Sequence, residues 1–137
     1  MAQKIGKIIQ VIGPVVDVSF EKEGSELPGI YDALKIVRKG NDDLIIECQQ
    51  HIGENTIRCI AMDATDGLRR GMDVVSTDSP IIMPKGEIAL GRLLNVIGDS
   101  IDGLEQLPKE GLNIHNEPPK YKDLTTETEV LYTGIKV

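Results

Sequence analysis

Two cysteines and two histidines are the side chains in this sequence best suited to nucleophilic or metal chemistry. Cys48 and Cys59 fall on the two arms of a predicted β-hairpin, and a turn centred near Gly53 brings them roughly opposite each other on its apolar face. Such a pair could form a disulfide or half of a metal site. Two small buried apolar residues are the simpler interpretation, because no second cysteine pair or suitably placed histidine accompanies them.

The histidines and carboxylates show no spacing typical of a catalytic or metal site. His51 is predicted at the hairpin turn and His115 in an irregular region, and neither has a glutamate at helical spacing. A surface or turn position is therefore favoured over a zinc-ligand or general-base role. Aspartates in turn sequences commonly cap their own backbone, and four aspartates are expected to do so here. These are Asp63, Asp66, Asp99 and Asp102.

Motifs for phosphate binding and acyl transfer are missing from the sequence. There is no loop of the form Gly-x-x-x-x-Gly-Lys-Ser/Thr and no Gly-x-Ser-x-Gly motif. The glycine pairs Gly86/Gly91 and Gly98/Gly103 lack the lysine and hydroxyl residues that a phosphate-binding loop requires, so we interpret them as turns. We therefore predict no catalytic, cofactor-binding or metal-binding residue in this chain.

The composition describes an acidic chain with few aromatic residues. A net charge of −7 and a pI near 4.8 disfavour nucleic acid as a partner, because both would be negatively charged. Neither a signal-peptide pattern nor an apolar stretch of the roughly 18 residues that a membrane helix needs is present. We expect a soluble, cytosolic chain with reduced thiols. Arg69 and Arg70 could bind an acidic group of a partner, although a solvated turn is the simpler interpretation.

Alternation of apolar and polar residues predicts a β-rich first part of the chain. Val16, Val18 and Phe20, for example, share one face of a strand, whereas Asp17 and Ser19 lie on the other. Six short strands would leave exposed edges unless the sheet closes, so we expect a closed six-stranded β-barrel. The predicted strands cover residues 4–12, 15–20, 30–38, 44–50, 56–62 and 72–77.

The pattern changes after Pro80. Apolar residues between positions 88 and 97 recur at helical spacing, which predicts a short helix. Residues 98–122 are rich in glycine, proline and charge and have no lasting periodicity. The apolar carboxyl end lacks a cap or polar tail, from which we expect a chain truncated from a longer one.

Four segments of the chain resemble, in order, the β subunits of F-type ATP synthases. They correspond to the opening strands, the barrel hairpin with its following turn, the entry into the nucleotide-binding domain, and the segment shortly before the phosphate-binding loop. The α subunits and the vacuolar and flagellar relatives share this layout, but the first two segments favour the β type. The segments are GKIIQVIGPVVDVSF (6–20), QQHIGENTIRCIAMDATDGLRRGM (49–72), LGRLLNVIGDSIDG (90–103) and TETEVLYTGIKV (126–137).

The resemblance implies a mainly β fold, with a crown β-barrel over residues 1–82. Over residues 83–137 it implies a short helix and an irregular segment that begin an α/β nucleotide-binding domain, cut before the phosphate-binding loop. Departures from the family pattern at residues 84–86, 98–103 and 113–119 lie in connecting segments, so they bear on the branch of the family and not on the fold.

The function implied is that of the catalytic β subunit of a proton- or sodium-translocating ATP synthase. Its barrels alternate with those of α subunits in a hexameric ring that holds the subunits together. Mg-ATP or Mg-ADP binds the complete subunit, whereas this chain alone is expected to bind neither and to be inactive. The parent complex is expected on the cytoplasmic face of the bacterial inner membrane, attached to an ion-translocating sector.

Two other functions stay open on the sequence alone. A free-standing β-barrel could serve as a binding or regulatory module without catalysis. An enzyme complete in itself is disfavoured by the missing phosphate-binding loop.

Overall fold

A computed structural model describes residues 4–20, 26–38, 42–128, 130 and 132. Six antiparallel strands close into a barrel, which confirms the mainly β fold and the closed six-stranded barrel expected from the sequence. The strands are Ile5–Ile12 (β1), Val15–Ser19 (β2), Asp32–Ile36 (β3), Leu44–His51 (β4), Thr56–Ala61 (β5) and Asp73–Pro80 (β6). Around the barrel they follow the order β1-β2-β5-β4-β3-β6, and β6 pairs with β1 to complete the ring.

Alternate residues of each strand fill the barrel interior, because successive side chains of a strand point to opposite faces of the sheet. Val16, Val18 and Phe20 are buried, as the alternation predicts. The core is almost entirely aliphatic, with Phe20 as its one aromatic member among the described residues. Its buried members are Ile8, Val16, Val18, Phe20, Leu34, Ile36, Leu44, Ile46, Cys48, Ile57, Cys59 and Val74.

The barrel closes tightly where β1 crosses the interior side chains of β2. A Cβ atom placed on Gly6 would lie 2.7 Å from Cγ1 of Val18 and 2.9 Å from the Phe20 ring. Real Cβ atoms do not approach other carbons so closely, so this position requires glycine.

A second, small sheet follows the barrel. Its two antiparallel strands are Ile82–Pro84 (β7) and Gly111–Asn113 (β8). The chain between them forms a 3₁₀ turn at Glu87–Ala89 and an isolated bridge between Leu94 and Ser100, and a second 3₁₀ turn lies at Tyr121–Asp123.

The helix predicted over residues 88–97 is wrong. Helical geometry stops after Ala89, because Leu90 is extended with a ψ of 132° and Gly91 has a φ of 70°. A glycine in this left-handed region commonly ends a helix. The apolar residues whose spacing suggested the helix are largely exposed, with Leu90 at 75% and Leu93 at 59%.

The predicted division into residues 1–82 and 83–137 stays a prediction. The proposed boundary falls within β7, whose strand spans both sides of it. The apolar run predicted at the carboxyl end lies mostly outside the described residues, which include only 130 and 132 beyond residue 128.

Candidate assembly surface

The two thiols lie where the hairpin pattern placed them. Cys48 on β4 and Cys59 on β5 are direct partners in the strand register. Both are free, and neither has exposed surface. Within the ranges that the structure describes, no group of three or more His, Cys, Asp or Glu side chains could hold a metal ion. The pair therefore sits in the core as two small side chains.

The two histidines have separate structural roles. The His51 ring bonds the carbonyl oxygen of Pro28 at 2.8 Å, close to the hairpin end of the barrel. His115 bonds the carboxylate of Glu47 at 2.9 Å and stacks on the Tyr31 ring, with centroids 4.0 Å apart. The Glu47 side chain is only 5% exposed, so His115 covers a carboxylate that points out of the barrel wall. The contact attaches the segment after β8 to β4, while His115 itself lies in a bend at the surface, where a surface or turn histidine was expected.

Three of the four aspartates expected in turns make local or exposed contacts. Asp63 accepts a hydrogen bond from the amide of Ala64 at 2.7 Å, and Asp66 lies exposed in its turn. Asp99 forms an ion pair of 3.0 Å with Lys109, whose side chain is 77% exposed. None of these arrangements brings two carboxylates together as a catalytic pair requires.

Asp102 anchors a loop through Arg92. The Arg92 guanidinium donates to both carboxylate oxygens, at 2.6 and 3.2 Å. The amides of Leu93 and Leu104 also donate to this carboxylate, at 3.2 and 3.1 Å. The Arg92 hydrogen bond, helped by these amides, holds the pKa of Asp102 well below its usual range. Such a carboxylate is a structural anion and a poor general acid or base.

Arg69 and Arg70 line two different grooves on the barrel surface. Arg69 borders a groove of about 710 Å³ together with Val37 and Met72, whereas Arg70 borders one of about 430 Å³ together with Leu68. The two guanidinium groups therefore do not form one anion-binding clamp.

Mg-ATP, which the resemblance implies for the complete subunit, does not fit the glycine turn at Gly98. A phosphate cradle needs several converging backbone amides. The space beside Gly98 is instead filled by the carbonyl oxygen of Ile82, 3.0 Å from a Cβ placed there, and by the Pro84 ring at 3.3 Å. A carbonyl oxygen repels phosphate, so this turn packs against the small sheet.

Three apolar residues form a row across the outside of the barrel. Ile12 on β1 lies opposite Val15 on β2, and Val15 lies opposite Ile60 on β5. Residues paired in register share a face of the sheet, and the sequence neighbours Val16 and Cys59 are interior, so this row faces outward. We call Ile12, Val15 and Ile60 the exterior row. Ile12 is 54% exposed and Ile60 is 40% exposed, so their contiguous apolar surface is available to a partner.

An ion pair borders the exterior row and fixes its geometry. Asp17 and Arg58 are direct partners on β2 and β5, and two guanidinium nitrogens donate to the two carboxylate oxygens at 2.8 and 2.9 Å. The Asp17 side chain is only 4% exposed, although the alternation places it on the outer face, because Arg58 covers it. The hydrogen bond with Asp17 raises the pKa of Arg58. This fork geometry ties β2 to β5 beside the row.

Sequence reasoning missed both the exterior row and the polar pairs. Arg58 lies 41 residues from Asp17, and His115 lies 68 residues from Glu47, so no local pattern could join them. The row had a usable signal, since Ile60 is an isoleucine at a position where the alternation calls for an outward-facing residue.

Within the part of the chain that the structure describes, no helix has the length and apolar character needed to cross a membrane.

A family-level match agrees with this architecture. Residues 8–78 match the model of the beta-barrel domain of the ATP synthase alpha/beta family. The match begins within β1 and ends within β6, so it contains the exterior row and the Asp17–Arg58 pair. It spans more than half of the chain and coincides with the closed six-stranded barrel. By this match and this fold, the chain belongs to the ATP synthase alpha/beta family.

Proposed function

We propose that this chain supplies the amino-terminal barrel of the catalytic β subunit of an F-type ATP synthase, and that its barrel serves assembly. The observation that carries the proposal is an apolar row on the outer wall of a closed barrel that matches the family's barrel domain. The partners would be α subunits, whose barrels alternate with those of β subunits in a six-membered ring.

Physical properties of the barrel suit a rigid collar. A closed sheet has no free edge at which a neighbour could add a strand, so neighbouring barrels must pack through side chains. Burying Ile12 and Ile60 against such a neighbour would contribute roughly 25 cal/mol for each Å² of apolar surface removed from water. The antiparallel ladder keeps β2 and β5 in register, and the Asp17–Arg58 pair adds a side-chain link across them.

The β type is favoured over the α type by the sequence. The segments at residues 6–20 and 49–72 resemble those of β subunits. Those residues form β1, β2 and β5 with the turn that follows, and they include all three members of the exterior row.

Nucleotide chemistry would belong to residues of the complete subunit other than those described here. The complete subunit would bind Mg-ATP or Mg-ADP and couple its synthesis or hydrolysis to proton or sodium movement through a membrane sector. The complex would then sit at the cytoplasmic face of a bacterial inner membrane.

Co-purification with tagged partner subunits tests this function. An F-type α subunit should retain the chain on an affinity column, whereas an F-type β subunit should not. Retention by the β subunit alone would contradict the assignment. Retention by neither would favour a free-standing barrel module.

Titration calorimetry with Mg-ATP tests the separation of assembly from catalysis. The chain should give no saturable heat. A dissociation constant in the micromolar range would show that the described residues hold a nucleotide site after all.

A further inference from the structure

The two paired thiols in the barrel interior have no part in the proposed assembly role. Cys48 and Cys59 oppose each other on β4 and β5, and both are fully buried. Interior positions next to them are filled by aliphatic side chains.

The backbone places these cysteines at the closer of the two kinds of antiparallel pair. The carbonyl of Cys48 accepts a hydrogen bond from the amide of Tyr31 at 2.7 Å, on the side of β4 away from β5. On β5 the amide of Ala61, two residues from Cys59, donates to Pro14 at 2.8 Å, on the side away from β4. Neither cysteine therefore shares backbone hydrogen bonds with the other.

Such non-hydrogen-bonded pairs have Cα atoms about 4.5 Å apart and the closest side chains in an antiparallel sheet. Disulfides span Cα separations of about 4.4–6.8 Å. A bond between the two sulfurs is thus compatible with the strand register, without moving β4 against β5.

The two thiols are chemically unequal. Hydrogen bonding with the Cys59 thiol lowers the pKa of Cys48 from its ordinary value, and the nearby His51 acts in the same direction. Hydrogen bonding with Cys48 and burial raise the pKa of Cys59. Cys48 is therefore the sulfur that reaches the thiolate state first, and the thiolate is the nucleophilic form.

We propose that Cys48 and Cys59 form an oxidation site, at which a peroxide converts the two thiols into a cross-strand disulfide. The Cys48 thiolate attacks one oxygen of hydrogen peroxide, the O–O bond breaks, and the departing hydroxide takes up the proton that Cys48 lost. Cys59 then attacks the sulfenic acid sulfur and expels hydroxide, which accepts the Cys59 proton. Two thiols and one peroxide yield one disulfide and two waters, with two electrons passing from sulfur to oxygen.

A β-bulge gives the oxidant a route to the buried sulfurs. The register between β4 and β5 shifts between Cys48 and Gln50, immediately beside the first thiol. A bulge interrupts the ladder and leaves a residue unpaired, and we place the entry of the oxidant at this interruption. The disulfide would then tie β4 to β5 and leave the exterior row in place.

Intact-mass analysis of the folded full chain after hydrogen peroxide treatment tests this site. We expect a species lighter by two hydrogen atoms, monomeric, with no alkylatable thiol, and fully reversed by dithiothreitol. Its thermal midpoint should exceed that of the reduced chain, since a cross-link restricts the unfolded state.

Single-thiol variants assign the order of the two steps. Cys59→Ala should accumulate a sulfenic acid at Cys48 that a dimedone probe traps at least about threefold faster than at Cys59 in Cys48→Ala, because His51 still lowers the pKa of Cys48 and burial still raises the pKa of Cys59. Several results would overturn the proposal. They are two free thiols after treatment of the folded chain, sulfinic acid at Cys48 beside a free Cys59, disulfide-linked dimers as the main product, or equal trapping in the two variants.

Discussion

Ile57 and Ile60 lie on the same strand, three residues apart, and face opposite sides of the barrel wall. Ile57 has no exposed surface, whereas Ile60 is 40% exposed as a member of the exterior row. Because the two side chains are identical, substitutions at Ile57 and Ile60 distinguish the effect of burial on stability from the effect of the outer face on association.

Truncating these two isoleucines should affect folding very differently. We expect Ile57→Ala to lower the free energy of unfolding by about 2–5 kcal/mol, because the barrel cannot fully collapse into the cavity. Ile60→Ala, the matched control, should cost less than about 1 kcal/mol, the range usual for an exposed position. Urea unfolding of both variants measures the difference, and equal losses would mean that the facing of β5 is wrong.

The contact between β1 and β2 is too close to accommodate a methyl group at Gly6. Gly6→Ala places a Cβ against Val18 and Phe20, and we expect a loss of about 1–3 kcal/mol from overpacking. Gly53→Ala is the control, since nothing lies within 4 Å of a Cβ there and its φ is not left-handed. Thermal unfolding should leave Gly53→Ala near the parent. A tolerated Gly6→Ala would show that the barrel wall is looser at β1 than the distances indicate.

The contact between His115 and Glu47 should hold the segment after β8 on the barrel. His115→Ala removes one of two side-chain partners of a nearly buried carboxylate, which keeps its bond from Gln49, at a cost of about 0.5–1.5 kcal/mol. The amide of Ile114, which donates to Ile81 at 2.9 Å, should then exchange at least about tenfold faster with solvent. His51→Ala should leave this amide unchanged, because His51 contacts Pro28. If the exchange rate of the Ile114 amide were unchanged in His115→Ala, the segment after β8 would be held on the barrel by the small sheet alone.

Acid should loosen the loop that Asp102 anchors. Its pKa is lowered in the folded chain, so the Arg92 pair contributes stability above the ordinary aspartate value of about 3.9 and loses it as the pH falls through the folded pKa. Asp102→Asn should therefore speed amide exchange of Leu93 and Leu104 at neutral pH, and this difference from the parent should shrink below about pH 4.

Asp99→Asn is the matched control for that titration, because its partner Lys109 is exposed and surface pairs contribute little. Loop exchange in Asp99→Asn should follow the parent across the pH range. A difference between Asp102→Asn and the parent that persists unchanged into strong acid would exclude the carboxylate as the anchor.

The strands of the barrel could be predicted from the sequence because the patterns that mark them involve residues close together in the chain. The alternation of Val16, Val18 and Phe20 repeats every two residues, and the hairpin around Gly53 fixes the register that pairs Cys48 with Cys59. These features need only neighbours along the chain, and all six strands were recognised by them.

The remaining features could not be predicted because they depend on contacts distant in sequence or on backbone conformation. Apolar spacing suggested a helix over residues 88–97, but the left-handed Gly91 outweighs that pattern. From its position in the strand pattern Glu47 would be expected to be exposed, but in the fold His115 covers it. The exterior row exists only once β1, β2 and β5 are aligned side by side.

The exterior row is the surface on which the assembly role depends. A charge at its β5 end should oppose burial against a neighbouring barrel, since a buried unpaired carboxylate is costly. Ile60→Asp should therefore lose association with an F-type α subunit. Ile52→Asp is the matched control, because Ile52 is 39% exposed but lies outside the row, just beyond β4.

Native mass spectrometry of the chain mixed with an F-type α subunit measures this directly. We expect a mixed complex with the parent chain and with Ile52→Asp. With Ile60→Asp we expect a dissociation constant at least about tenfold larger, which corresponds to about 1.4 kcal/mol of association free energy. Absence of any mixed complex with the parent chain, or equal losses in the two aspartate variants, would contradict the claim that this barrel joins its neighbours through Ile12, Val15 and Ile60.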